Sequence, residues 1–437
     1  MAVSPELSPS SPHVVIVGGG AAGLMAANFA AGAGVVVTLL ERMPRPGRKI
    51  LISGGGRCNI LPSRVEPEQY FTSRFHTFRK VFLTWPLPEQ IRFFEDQVGI
   101  PLALEVESGK IFPRSNRASD VMEGLLHRAV SRGAHLRTRA SMEGLEPLAG
   151  GRWRIHLREG APVDGDVVIM ATGGLSVPAT GSDGTGLRLM KEQGHELVEP
   201  FPALTPLLGD DPDHHHLAGL SLDVSLMAPR GSSIKRGSQS RGGFLFTHQG
   251  YSGPVVLDMS HHVVQAPSRV EQPLWVQWTT LDATAWEARL KAGGSQQLRT
   301  ILRGELPQRL VDLLLGRLGL HDSTVANLRR EQRQALIEAL TRYELPWSGH
   351  EGYKKAEVTG GGVSLTEVDT TTLESRRCPG IFLCGEMLDV FGPIGGYNFL
   401  WAWVSGRWAG LAARRRLLEG SPGEGEGGGI HVEGNPS

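Results

Sequence analysis

Three groups of residues have types and spacings with chemical meaning. The first is Gly18-Gly19-Gly20-Ala21-Ala22-Gly23, a Gly-x-Gly-x-x-Gly turn that follows the apolar run Val14-Val15-Ile16-Val17. Gly18 permits a tight turn, Gly20 lets the backbone approach a pyrophosphate, and Gly23 lets helix and strand pack closely. The helix that starts there would aim free N–H groups and a positive dipole end at the phosphates. Glu41 ends a second apolar run 23 residues after Gly18, close to the roughly 20 of a dinucleotide fingerprint. Its carboxylate can accept from ribose hydroxyls and would repel a 2′-phosphate. In a chain with 57 glycines the bare pattern is weak; strand, turn, helix, strand and acid in order are not.

The second group is Gly54-Gly55-Gly56-Arg57-Cys58-Asn59. Backbone and cation could meet an anion there, or the run is a flexible surface turn; spacing alone leaves both open. Cys58 beside Arg57 could be a thiol of lowered pKa, although a small packed group is the commoner role. The third group is looser. His248, Tyr251 and Ser252 are candidate general acids, set against hydrogen bonding within their own loop. Tyr397 could donate a proton or simply pack. His214-His215-His216 has only Asp211 and Asp213 nearby, which reads as a solvated turn and not as a metal site. Cys378 and Cys384 lack Cys-x-x-Cys spacing.

The elements that must position these groups follow from pattern. Residues 14–17 and 35–41 read as buried strands around a helix at 24–33. Residues 78–98 are helical but broken at Pro86 and Pro88. Residues 102–113 alternate like a hairpin about Ser108-Gly109, and Ser119-Asp120 would cap a helix to about residue 132. Residues 135–145 and 152–157 read as strands. Residues 166–174 form a buried strand ending in Thr172-Gly173-Gly174, where a doubly wound sheet places ligand contacts. Short β-like runs fill 200–282, Leu310, Leu313, Leu314 and Leu318 mark a helical block over 283–346, and 347–356 leads back. Nucleotide-fold character returns over 357–419, with a strand ending at Gly385-Glu386, a Gly-rich loop at 392–398 and a helix at 399–418. Residues 1–12 and 420–437 read as a disordered leader and tail.

Composition narrows the classes. The chain has 437 residues, room for two or three domains, with Lys+Arg and Asp+Glu both at 45. That balance suggests neither nucleic acid nor membrane as a partner, and no apolar run approaches a membrane span. Three cysteines give no disulfide framework, so a reducing cytoplasm is expected.

In order, the segments GGGAAG (18–23), RKILISGGGRCN (48–59), KIFPRSNRASDV (110–121), ATGGLSVPATGSDGTG (171–186), GHELVEPFPALTPL (194–208), FLFTHQGYSGPVVLDMS (244–260), VTGGGVSL (358–365) and CGEMLDVFGPIGGYNFLWAWVSG (384–406) resemble one family. It is that of the aminoacetone oxidase or bile-acid-inducible flavoprotein-like proteins, in the two-dinucleotide-binding-domain superfamily. The resemblance covers residues 13–412. It implies an α/β protein whose Rossmann-like, glutathione-reductase-type FAD domain is interrupted by an inserted β-barrel-like domain with a helical subdomain. FAD would then be the dinucleotide, with its pyrophosphate on Gly18 to Gly23 and its adenosine ribose on Glu41. Lys49, Gly55, Gly56, Arg57, Cys58 and Asn59 would line it, and Thr172, Gly173 and Gly174 would pack on it. Gly385 and Glu386 would touch the ribityl chain, while Gly395, Gly396, Tyr397 and Asn398 would face the flavin ring. Arg42 and Ala140 are counted with this set. One departure is Phe391-Gly392-Pro393-Ile394, where the family leads us to expect a more polar, often acidic, loop.

The expected function is an FAD-dependent oxidoreductase moving hydride between a small organic substrate and the flavin, with O2 or NAD(P)H as second substrate. Assigned activities in the family, amine oxidation and reduction of a conjugated steroid enone, run in opposite directions. No second fingerprint for NAD(P)H is present, since residues 181–186 have the wrong spacing; docking of NAD(P)H on the flavin face stays open. The alternative is a redox-sensing or binding protein that uses FAD without turnover, hinted at by the helical block. An RNA-modifying flavoprotein would need a basic patch with stacking aromatics, and Arg329, Arg330 and Arg333 are too few. Oligomeric state is left open.

Overall fold

The computed structural model describes residues 11–229, 239–266 and 268–419. The leader (all but its last two residues) and the tail expected to be disordered lie outside them. Five strands form a parallel sheet: β1 (His13–Val17), β2 (Val36–Glu41), β3 (Ala134–Thr138), β4 (Val167–Met170) and β5 (Ile381–Leu383), in the order β5-β4-β1-β2-β3. Both faces of such a sheet are covered, so the strands are apolar runs: Val14, Val15, Ile16 and all four residues of β4 have no exposed surface. Val17 pairs with both Leu40 and Met170. The ends of β1, β2 and β4 are therefore level, and the turns beyond them open on one edge.

The chain between β4 and β5 builds a second body. Its antiparallel sheet has seven strands, in the order Tyr343–Glu344, Trp275–Gln277, Ser221–Met227, Gln239–Phe246, Gly250–Ser252, Leu207–Gly209 and Trp347–His350. Laid flat, its outer strands would lie about 29 Å apart. Those two strands are joined only by Leu345 and Pro346, a link that spans about 11 Å at most. The sheet must curl, which accounts for the barrel-like character. Phe244, Phe246, Tyr251, Trp278 and Trp286 fill its core, together with leucines of the helical block.

Among the helices that border the cavity described next are α1 (Ala21–Ala30), α2 (Pro254–Val264) and α3 (Tyr397–Glu419). α1 is clamped between β1 and α3 at distances only glycine allows. A Cβ on Gly23 would lie 1.8 Å from the Gly18 carbonyl oxygen, and Cβ atoms on Gly406 and Gly410 would lie 2.4 Å and 2.5 Å from the carbonyl oxygens of Ala22 and Ala26. Two expected elements differ. Residues 135–145 are not one strand: Arg139 takes a φ of +57° and splits them between β3 and Met142–Pro147, which joins another sheet. The helix at Ala118–Ser131 has Arg117, not Ser119, at its cap position, with no side-chain cap bond.

Overpacking a backbone contact of this kind costs about 1–3 kcal/mol. Gly406→Val should therefore lower the unfolding free energy by about that amount in denaturant titration, whereas Gly20→Ala, at a φ of −77° and with no atom within 4 Å of the added Cβ, should cost less.

Candidate active site

The ends of β1, β2 and β4 open on a cavity of about 500 Å³. At one end lie Gly18, Gly20, Ala21 and Ala22 of the β1–α1 turn, with Glu41 and Arg42 beyond β2 and Ala140 beyond β3. Lys49, Gly55, Asn59, Thr172, Gly173 and Glu386 line the middle, and Gly395, Gly396 and Asn398 the far end. Gly20 caps α1 without a side-chain bond, so the first N–H groups of the helix are presented to the cavity. A Cβ on Gly20 would meet no protein atom within 4 Å; a side chain there would project into the open space. These features fit a dinucleotide.

Glu41 has a second task. Its Oε2 accepts from the Gly19 N–H at 2.8 Å and its Oε1 from the Met43 N–H at 2.6 Å. The carboxylate thus splints the turn it was expected to serve, while burial raises its pKa against those two bonds. Arg42 pairs with Asp183 and donates to the Gly181 carbonyl at 3.3 Å. The middle of the cavity holds a charge network. The Lys49 ammonium reaches Ser176 Oγ at 2.6 Å and Glu386 Oε2 at 2.9 Å, and Glu386 Oε1 accepts from Ser176 Oγ at 2.6 Å and the Thr359 N–H at 2.9 Å. Burial alone would push the Glu386 carboxyl up, but Lys49 and these donors hold it below its ordinary value.

Eight expected cofactor residues stand off this cavity. Gly19 turns its N–H to Glu41, and Gly23 packs on Gly18. Gly174 is wedged against the Thr359 side chain, and Gly385 donates its N–H to Ser405 Oγ at 2.9 Å. Gly56 and Arg57 face outward: the Arg57 guanidinium lies 3.9 Å from the Phe112 ring centroid and pairs with Glu105 at 2.8 Å. Cys58 is fully buried, and burial pushes its thiol up to about 12. A thiol held protonated in this way is neither a nucleophile nor a ligand. Tyr397 lines a neighbouring chamber.

The other proton-donor candidates are displaced as well. Tyr251 is in the aromatic core of the second body, its hydroxyl 2.8 Å from His214 Nδ1, and burial raises its pKa. His248 is exposed and Ser252 half-buried, and neither lines either cavity. His214 corrects the solvated-turn reading: its ring is 2 % exposed and bridges the Tyr251 and Tyr343 hydroxyls, both at 2.8 Å.

The neighbouring chamber shares Lys110, Ile394 and Gly395 with the first cavity. Its other walls include Arg64, Gln69, Tyr70, Gln239, Ser240, Asp258, His261 and Tyr397. The Phe391-Gly392-Pro393-Ile394 loop between the two is held by Asn398, which accepts from the Gly392 N–H and donates to the Gly392 carbonyl, both at 2.9 Å. The loop brings no acid of its own. One comes from α2, where Asp258 Oδ1 accepts from the Ile394 N–H at 2.8 Å. Lys110, Ser176, Asp258 and Thr359 were not singled out from sequence, although all four lie within the segments that resemble the family, because no spacing to another reactive residue marks them. Among the described residues no helix is long and apolar enough to cross a membrane, and no group of three or more His, Cys, Asp or Glu could hold a metal.

Comparison with known proteins agrees with this architecture. The family described as "HI0933-like protein Rossmann domain" matches residues 12–412. The chain is 32 % identical over 398 residues to the ribosomal RNA dihydrouridine synthase of Escherichia coli (strain K12), covering 90 % of this chain and 96 % of that one. It is 32 % identical over 406 residues to the protein of the same name from Haemophilus influenzae, covering 92 % and 98 %. It is also 31 % identical over 413 residues to the 3-dehydro-bile acid delta(4,6)-reductase of Clostridium scindens, covering 92 % and 99 %. The chain belongs to the HI0933-like family, the FAD-binding, Rossmann-fold oxidoreductases.

Proposed function

We propose that this protein reduces a carbon–carbon double bond conjugated to a carbonyl, and that its substrate is a uracil base in RNA. The three relatives are named for the same chemistry: the C5=C6 bond of uridine and the 4,6-double bonds of a 3-oxo bile acid are both conjugated to a carbonyl. The observation that favours RNA is the chamber beside the cofactor cavity. Arg64 and Lys110 line it and make no ion pair among the described residues, and Gln69, Gln239, Ser240 and Tyr397 add hydrogen-bonding groups. Cations and amides suit phosphates and a polar heterocycle, and Phe71, Met259, Pro393 and Ile394 add apolar surface for the faces of a flat ring. This departs from the expectation of no nucleic-acid partner, which rested on a balanced total charge. Two cations at one chamber do not register in a chain-wide sum.

FAD would lie along the first cavity, its pyrophosphate on Gly18, Gly20 and the start of α1, its adenosine beside Glu41 and Ala140. Lys49, Thr172 and Glu386 would face the ribityl chain. Phe112, Leu257, Ile394, Phe399 and Trp401 give the far end apolar walls for the ring, with Gly395 and Gly396 close to its edge. Bound there, the reduced flavin supplies a hydride equivalent, and NAD(P)H is the reductant that restores it. An RNA substrate and three unpaired, buried thiols support a cytoplasmic location.

Gly20→Val should leave the fold intact and abolish FAD retention; purified mutant with one flavin per chain would place the pyrophosphate elsewhere. The purified holoprotein, given NADH or NADPH and unmodified ribosomal RNA transcript, should add two hydrogens to a uridine, detected by mass spectrometry of the digested RNA. No mass gain with RNA alongside turnover of a 3-oxo-4,6-diene steroid would replace the RNA reading with the enone one.

A further inference from the structure

Two side chains at the neighbouring chamber have hydrogen-bonding capacity left unused among the described residues. Asp258 stands on α2 at its wall. Oδ1 takes the Ile394 N–H at 2.8 Å, and Oδ2 makes no hydrogen bond among the described residues. Three residues further along α2 is His261, 1 % exposed, with neither ring nitrogen hydrogen-bonded. Its ring lies 4.4 Å from that of Phe71 and 4.2 Å from that of His262. Buried polar atoms are almost always paired, so an unpaired imidazole on a chamber wall marks space for a ligand atom.

We propose that this chamber holds the substrate and that Asp258 Oδ2 is the proton donor to the substrate carbon next to the carbonyl, with His261 as a positioning residue that hydrogen-bonds the bound ring. The inference rests on the reading of the protein as an ene reductase. For a uracil, the C5=C6 π bond breaks and two C–H bonds form. C6 receives the hydride equivalent, and C5 receives the Asp258 proton. The base is reduced to its 5,6-dihydro form, the flavin is oxidised, and NAD(P)H reduces it again. Asp258 is left as a carboxylate and recovers a proton from water through the chamber mouth.

The surroundings suit that task. Burial pushes the Asp258 carboxyl up to about 7, against the pull of the Ile394 N–H and Lys110. It is partly protonated at neutral pH, where general acids work best. The charged and titratable groups around it are Lys110, Arg64, Glu68, Tyr70, His261 and Tyr397, and burial keeps the Tyr70 hydroxyl protonated. Among these, burial pushes the His261 imidazolium down to about 3, so it is neutral and can accept or donate. Burial raises Tyr397, leaving its hydroxyl protonated. Neither competes with Asp258 for the proton lost near pH 7.

The test uses FAD-loaded wild type, Asp258→Asn and Asp258→Glu. Each is reduced anaerobically and mixed with unmodified ribosomal RNA transcript or, as a small probe, 2-cyclohexenone, and flavin reoxidation is followed by absorbance. Asp258→Asn should keep full FAD content but reoxidise about 10²–10⁴-fold more slowly. Its rate should lose the wild-type decline as pH rises through about 7, and Asp258→Glu should restore part of both. Reoxidation of Asp258→Asn within twofold of wild type would overturn the proposal. A second readout needs no substrate: wild-type minus Asp258→Asn infrared difference spectra should show a protonated carboxyl that titrates near neutrality. A carboxyl titrating in the ordinary aspartate range would overturn it too. Turnover of cyclohexenone without turnover of RNA would remove the RNA reading and leave the proton donor in place.

Discussion

Backbone-to-backbone approach around α1 is the constraint on which the other features depend. Gly23 lets the helix rest on the Gly18 carbonyl, and Gly406 and Gly410 let α3 lie against the carbonyls of Ala22 and Ala26. Fixed on two sides, α1 has one direction left for its N-terminus, into the cavity. The same contact sets α3, whose Trp401 indole donates to the Gly385 carbonyl at 3.1 Å and whose Ser405 hydroxyl accepts from the Gly385 N–H. The loop that runs into α3 forms the wall between the two chambers. A methyl group in the wrong place on α1 would thus be felt from the phosphate end to the ring end.

Two carboxylates show how burial is turned to opposite ends. Glu386 is surrounded by the Lys49 ammonium, a hydroxyl and a backbone N–H, and stays ionised below its ordinary value. Its neighbours come from residues 49, 176 and 359, so the network also ties the returning chain to the first half of the sheet. Asp258 has one backbone N–H and a more distant lysine, and burial wins. Environments that push two acids in opposite directions let one hold a fixed charge while the other can carry a proton near neutrality.

The cofactor half of the site was legible in the sequence because its signals are local. Strand, glycine turn, helix and acid lie within residues 13–41, and Gly23 is demanded by a 1.8 Å clash with the Gly18 carbonyl of the same motif, although Gly18 itself is demanded by Ala171 beyond β4. Glu41 lines the cavity, but its splinting of Gly19 and Met43 was invisible in the sequence, because it depends on where the turn folds back. The substrate half was not legible. Asp258 meets Ile394 across 136 residues of chain; no spacing rule reaches so far. Tyr251 and Cys58 take the structural role that was set against the reactive one. Both have reactive side chains, and both are sealed in cores that keep them protonated.

The proposed reaction needs the first cavity to hold the cofactor and the neighbouring chamber to hold the substrate, with Ile394 and Gly395 in their common wall. The most direct measurement is a crystal structure of the protein with FAD bound. The isoalloxazine ring should lie against Ile394, Gly395 and Gly396, with one face open to the chamber that holds Asp258 and His261. A ring bound elsewhere, or one whose open face looks away from that chamber, would contradict it.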